Sequence, residues 1–154
     1  MALTVVVDTR EKIPWEFAGS KTITNFVSQK VDTGDYAILG LEDMLCLERK
    51  RSVEEFAGNV TQKRFWKEVE RMKEIPNRFI ILEFSIDDIL HYPVGSNIPR
   101  SKWKYLKVKG PFIMRKISEL QVEHGVQVVF CGNTEHAEYV AANIIKRVYE
   151  QSSA

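Results

Sequence analysis

The chain has 154 residues and a mass of 17.8 kDa, one domain's worth, and its 44% hydrophobic content can supply a core without disulfides or metals to staple it. Lys plus Arg number 22 against 21 Asp plus Glu, a formal charge of +1. That balance excludes a disordered tail, a histone-like polycation and an acidic scaffold, so any affinity for nucleic acid has to come from local clustering of charge. No apolar run reaches the roughly 18 residues of a membrane span, and Met1-Ala2-Leu3-Thr4 lacks the basic region of a signal peptide. Cys46 and Cys131 lie outside any CxxC or Cys/His pair and read as reduced core thiols. A cytoplasmic protein is expected (nucleoid-associated, or in the host cytoplasm if its source is viral).

In chain order, short apolar runs predict strands at Leu3–Val7, Tyr36–Leu39, Met44–Leu47, Phe79–Phe84 and Val126–Phe130. The first, fourth and fifth are nearly continuous, as expected of strands covered on both faces. Between them, Val53, Phe56, Ala57 and Val60, then Phe65, Val69 and Met72, predict one long helix or two between Ser52 and Lys73. Ser85 caps a short helix to Leu90. Pro111 opens another, with Ile113, Ile117 and Leu120 turned inward and Gly125 ending it. Asn133-Thr134 caps a last one, whose stripe Ala137, Val140, Ala141, Ile144, Ile145 and Val148 serves a core. Residues 151–154 read as a frayed end after a single domain over 1–150. The order gives an α/β sandwich around a mixed sheet flanked by helices.

The chemistry concentrates at Leu47-Glu48-Arg49-Lys50. On a strand, side chains two apart share a face, so Glu48 and Lys50 point together and Arg49 points away. A carboxylate beside an ammonium suits phosphodiester hydrolysis: the carboxylate can hold a hard divalent cation and the lysine can orient a water. An ExK tripeptide on its own is more often a surface ion pair. Two further acids strengthen it. Asp8 ends the first apolar strand, where open α/β sheets place their sites, and Asp35 sits in the turn Thr33-Gly34-Asp35-Tyr36 that leads into the next. A strand-end cap and a turn carboxylate are the plainer readings of these two.

Together VDTREK (Val7–Lys12), GDY (Gly34–Tyr36) and LERK (Leu47–Lys50) resemble the nuclease domain of the XPF-type structure-specific DNA endonucleases, a restriction-endonuclease-like, PD-(D/E)XK-related fold. The resemblance covers most of the chain. It continues through Phe65–Met72, Phe79–Glu83 and Gly125–Phe130 to the helix after Thr134. It implies a catalytic set of Asp8, Arg10, Asp35, Glu48, Arg49 and Lys50. Asp8, Asp35 and Glu48 would be ligands of Mg²⁺ or Mn²⁺, and a backbone carbonyl near Arg49 is a further candidate. The family places an Asp four residues beyond the motif lysine. Here Glu54 has that spacing, and Glu55 has it if Arg51 is an insertion. With all three motifs present and no helicase or helix-hairpin-helix segment, the resemblance implies an active stand-alone nuclease that forms a homodimer and cuts branched, flap or junction DNA. A Holliday-junction resolvase of archaeal type, or a branched-DNA-binding scaffold without turnover, are the alternatives.

From Pro99 to Lys116 there are seven basic residues and no acidic one, with Trp103, Tyr105 and Phe112 interleaved. Arg100, Lys102, Trp103, Lys104, Lys107 and Lys109 are expected to contact DNA from a mobile loop, the cations on phosphates and Trp103 stacked on an unpaired base. Lys63, Arg64 and Lys67 fit a salt-bridged helix face as well as a DNA contact. The histidines read as structural or solvated, and Trp15 as a core or dimer aromatic.

Overall fold

The computed structural model describes residues 2–153. Six strands form one mixed sheet in the order β2-β1-β3-β4-β5-β6. They are β1 (Leu3–Val7), β2 (Ile23–Ser28), β3 (Tyr36–Ile38), β4 (Leu45–Lys50), β5 (Asn77–Leu82) and β6 (Gln127–Phe130). β3 runs antiparallel to both β1 and β4, and the other pairings are parallel. The helices are α1 (Val53–Asn59), α2 (Lys63–Met72), α3 (Ile86–Leu90), α4 (Gly110–Val122) and α5 (Thr134–Ser153), with a 3-10 helix over Arg100–Tyr105.

Alternation along the strands divides the core. Cys46, Ile80 and Leu82 face one layer with Phe56 and Ala57 of α1, Phe65, Val69 and Met72 of α2, Ile89 of α3 and Ile113, Ile117 and Leu120 of α4. Leu45, Leu47 and Ile81 face the other, where Ala137, Ala141, Ile145 and Val148 of α5 close the sheet together with Trp15 and Phe17. Parallel β4, β5 and β6 are therefore covered on both faces, which is why LCL of β4, FIIL of β5 and VVF of β6 run apolar without a polar alternate.

The predicted helices form, with differences that have physical reasons. The Ser52–Lys73 stretch is two helices, α1 ending at Asn59 and α2 beginning at Lys63. Ser85 caps α3 in a reciprocal box with Asp88. α4 opens at Gly110, where a Cβ would meet the Ile89 carbonyl oxygen at 2.7 Å, so glycine lets α4 approach the end of α3. α5 takes up Gln151–Ser153, which had read as frayed; Ala154, like Met1, lies outside the described residues. β2 had no prediction, because only Ile23 of ITNFVS is buried in this edge strand and the alternation that betrays a half-buried strand is missing.

Candidate active site

The three motifs meet at one end of the sheet. Asp8 follows the C-terminus of β1. Asp35 precedes the N-terminus of the antiparallel β3, and Glu48 to Lys50 close β4. The backbone locks them together: the Asp8 N–H donates to the Asp35 carbonyl (2.9 Å) and the Asp35 N–H to the Leu47 carbonyl (2.7 Å). Gly34, at φ +92°, makes this tight turn possible; a Cβ there would meet Cys46 Sγ at 2.7 Å and the Leu47 carbonyl oxygen at 3.0 Å. Arg10, Glu11, Asp35, Glu48 and Lys50 line a cleft of about 380 Å³.

Glu48 and Lys50 share a face, as their spacing predicts, with Lys50 Nζ 3.7 Å from Glu48 Oε1 and 5.7 Å from the centroid of the Phe65 ring. Asp35 Oδ2 accepts the Arg49 backbone N–H at 2.7 Å. Burial pushes the Asp35 carboxyl up to about 9, and the neighbouring Glu48, close enough to share a hydrogen bond with it, pushes in the same direction. Two carboxyl groups held side by side favour the protonated form of Asp35, and a cation between them would reverse that preference. Among the described residues no group of three or more His, Cys, Asp or Glu side chains is arranged to hold a metal by itself. The Asp35–Glu48 pair nevertheless fits a small hard cation, which one or two carboxylates typically hold while water and substrate phosphate complete its shell.

Asp8, expected among the ligands, faces elsewhere and does not line the cleft. Its carboxylate is fully buried: Oδ1 accepts the Val31 N–H (2.9 Å), and Oδ2 accepts the backbone N–H (3.2 Å) and Nε (2.7 Å) of Arg10. Burial works to raise its pKa, but these donors hold it below the usual value. Asp8 thereby anchors Arg10, whose side chain is 74% exposed and enters the cleft.

Arg49 points through the sheet to the opposite layer. Its guanidinium is bound by Glu83 (2.9 Å from Nε to Oε2), by Glu11 Oε2 and the Ile13 carbonyl (3.1 and 2.8 Å from Nη1), and by the Tyr36 hydroxyl (3.2 Å), and it lies 4.7 Å over the Trp15 ring. Glu83 also accepts from Trp15 Nε1 (2.8 Å) and Thr134 Oγ1 (2.9 Å). The Tyr36 hydroxyl donates to Glu11 Oε2 at 2.8 Å. Trp15, buried and stacked on Tyr36, is thus a core aromatic.

Of the second wall of the cleft, only Arg64 carries a reading from sequence as a DNA contact, with a salt-bridged helix face as its alternative. Asn59 ends α1, Gln62 and Arg64 open α2, and with Phe65 and Glu68 they face the motif residues. Asn59 Oδ1 is buried there without a hydrogen-bond partner. For Asn59 and Gln62 the one available signal is the Gly58-Asn59 break in the apolar periodicity, which marks the corner but not what it faces. Glu54 and Glu55, the two alternatives for the family's last acid, do not line the cleft: Glu54 accepts the Asn97 N–H (3.2 Å), and Glu55 accepts the Arg51 N–H (3.0 Å) beside its capping bond to Ser52.

Within the basic segment Arg100–Tyr105 form a 3-10 helix, and residues 106–109 link it to α4 without regular structure. Ile98, Val108 and Phe112 pack against the same core layer as Val53 and Trp66, which anchors the segment on the side of the sheet that carries the cleft. Trp103 is half-buried with Nε1 donating to the Ile98 carbonyl (2.9 Å), while Arg100, Lys102, Lys104, Lys107 and Lys109 are exposed.

Comparison with known proteins agrees with this architecture. Nothing among curated proteins matches the chain. The solved structure of XPF from Aeropyrum pernix is similar in fold, with a TM-score of 0.69 at 18% identity over 97% of this chain and 67% of that one. A second structure of XPF from Aeropyrum pernix, solved in complex with DNA, gives a TM-score of 0.67 at 18% identity over 97% of this chain and 66% of that one. The chain therefore spans about two thirds of the length of each. The model of the ERCC4 domain matches residues 7–144, from the first motif to α5, and the chain belongs to the ERCC4 domain family.

Proposed function

We propose that this chain is a divalent-metal-dependent, structure-specific DNA endonuclease that hydrolyses phosphodiester bonds in branched, flap or junction DNA. The observation that carries this reading is the Asp35–Glu48 carboxyl pair, set side by side within hydrogen-bond reach and beside Lys50 in an open cleft. Asp35 and Glu48 would hold Mg²⁺ or Mn²⁺. When bound, the cation polarises the scissile phosphate and acidifies a water. Lys50 lies beside Glu48, where its ammonium can hold a water in line or offset charge that develops on the phosphate. Arg10, its stem fixed by Asp8 and its head in solvent, can clasp a phosphate oxygen. In this reading Asp8 and Arg49 work behind the cleft: Asp8 aims Arg10, and Arg49 holds Glu11 at the rim. The exposed cations from Arg100 to Lys109 track the DNA backbone.

A cleavage panel of flap, fork, four-way, single-stranded and linear DNA with Mg²⁺ or Mn²⁺, against EDTA, tests the reading. Metal-dependent nicking of branched substrates is expected. Tight binding without cleavage on every substrate would replace the nuclease with a scaffold, and symmetrical paired nicks confined to four-way junctions would make it a resolvase. A homodimer through the side of α5 that leaves Val140 and Ile144 half-buried completes the proposal. Light scattering at micromolar concentration that returns 17.8 kDa with and without DNA would remove it.

A further inference from the structure

The segment from Arg100 to Lys109 sorts its side chains by chemistry. Trp103, Leu106 and Val108 are half-buried against the domain, and every cation points outward. None of Arg100, Lys102, Lys104, Lys107 and Lys109 has a carboxylate within ion-pair distance among the described residues, whereas Arg71, Lys73, Lys116 and Arg147 on or beside the helices each have one. One large aromatic stands among these five unneutralised charges: Tyr105, 73% exposed at the end of the 3-10 helix, with Lys104 Nζ 5.1 Å from its ring centroid. Trp103 has the stronger π-face, but its indole N–H is fixed on Ile98, its body is half-buried, and Arg100 covers it at 5.8 Å.

An exposed aromatic costs solubility, and a cluster of like charges repels itself, so the two together describe a surface that is completed by something both anionic and flat. Single-stranded nucleic acid has phosphates at the spacing of a lysine row and a π-face on every base. An acidic peptide offers the charge without the flat face, and an anionic membrane would take a larger apolar patch than one tyrosine. The segment is also tied to the cleft's own wall: the Asn97 N–H donates to Glu54 of α1, the helix whose last residue, Asn59, lines the cleft.

We infer that Tyr105, and not Trp103, is the stacking platform for an unpaired base, and that the surrounding lysines hold the phosphates on either side of it. This inference rests on the DNA-nuclease reading above and deepens it: the single-stranded arm of a branch is what the segment engages.

The test measures affinity of the full chain in EDTA, where no cleavage intervenes, for a forked DNA, a single strand and a linear duplex. Stacking on one base supports about a tenfold loss for Tyr105→Ala on the fork and the single strand, with duplex affinity unchanged. Tyr105→Phe, which keeps the ring, retains wild-type affinity for all three. A 2-aminopurine placed in the unpaired arm is quenched by the wild-type chain and not by Tyr105→Ala. Salt dependence separates the two roles: Tyr105→Ala leaves the slope of log affinity against log salt alone, and Lys102→Ala/Lys104→Ala/Lys107→Ala flattens it on every substrate. An equal loss on fork and duplex, or none, overturns the stacking role. Comparable Tyr105-dependent binding of polyglutamate or of phosphatidylserine vesicles overturns the assignment to nucleic acid. If the triple lysine variant leaves all affinities intact, the DNA-tracking role of the whole segment falls. If that variant weakens binding and Tyr105→Ala does not, only the stacking inference falls.

Discussion

Two sides of one strand, β4, receive ionisable residues of the same kinds and treat them in opposite ways. On the rear side Arg49 and Glu83, each with a side chain 2% exposed, meet donors and acceptors at nearly every position: Arg49 has Glu83, Glu11, the Ile13 carbonyl and Tyr36, and Glu83 has Arg49, Trp15 and Thr134. On the front side Asp35 and Glu48 are set against each other, and Lys50 stands at 3.7 Å, long for a hydrogen bond. The rear cluster is complete within the chain and works as structure. The front cluster lacks a positive charge that the chain does not supply, and that deficit is what a metal ion and a phosphodiester can fill. Burial alone does not distinguish a site from a strut; whether the charges are already satisfied does.

The comparison breaks most sharply on activity. Asp35→Asn and Glu48→Gln are each expected to lower cleavage by several orders of magnitude, with DNA affinity within a few fold of wild type, because phosphate affinity comes mainly from Lys and Arg. Their melting temperatures should stay level or rise, since each substitution leaves one ionisable carboxyl where two stood side by side. Near-normal turnover in both variants would remove the assignment of the front cluster. On the rear side the expectation reverses. Arg49→Met leaves Glu83 buried and unpaired and should cost about 3–5 kcal/mol, read as a lower urea midpoint. Arg49→Met/Glu83→Leu should recover part of that loss. A single variant with wild-type stability would show that the buried pair is not the strut its geometry describes.

The pH dependence of the metal-free chain sharpens the contrast. Asp35 titrates at about 9 in the folded state against an ordinary value of 3.8, so between those limits the folded chain holds a proton that the unfolded chain has released. Stability is then greatest below the lower value and falls as pH rises through the window, by at most about 1.4 kcal/mol per pH unit. Thermal unfolding in EDTA from pH 5 to 9 should show this decline, and Asp35→Asn should flatten it. Adding Mg²⁺ should restore stability at the alkaline end. A flat profile in EDTA would mean that the two front carboxyls do not share a proton.

The difference between the two clusters was only half legible in the sequence. Strand periodicity placed Glu48 and Lys50 on one face and Arg49 on the other, because side-chain direction along a strand depends on nothing beyond the count. Periodicity also located most of the helices and five of the six strands, the exception being β2, whose exposed polar face carries no pattern. Asp8 read as a ligand because it ends a buried strand; that its oxygens are consumed by Val31 and Arg10 depends on a contact 23 residues away. Glu83 has no role of its own in the sequence reading, since a lone acid after an apolar strand looks the same whether it meets solvent or, as here, Arg49 from a neighbouring strand. Asn59, Gln62 and Arg64 enter the cleft only because α1 and α2 turn a corner there. Motif residues set by local geometry were readable, and those set by tertiary contacts were not.

The smallest expected effect probes how complete the rear cluster has to be. Thr134 opens α5, and its hydroxyl donates to Glu83 Oε1 at 2.9 Å, tying the helix to the end of β5. Thr134→Val keeps the shape and removes that donor. Glu83 Oε1 also lies 3.5 Å from Arg49 Nη2, at the limit of hydrogen bonding, and Oε2 keeps both Arg49 Nε and Trp15 Nε1. The carboxylate therefore loses one of its donors without becoming isolated, and the expected cost is about 1–2 kcal/mol, well below that of Arg49→Met. Nothing in the front cleft touches Thr134, so cleavage on a branched substrate should match wild type at a temperature where both chains are folded. Paired measurement of the urea midpoint and the cleavage rate checks this. A fall in rate without a fall in stability would mean that the two sides of β4 are coupled through Glu83, Arg49 and Glu11, and that the rear cluster positions the cleft as well as supporting it.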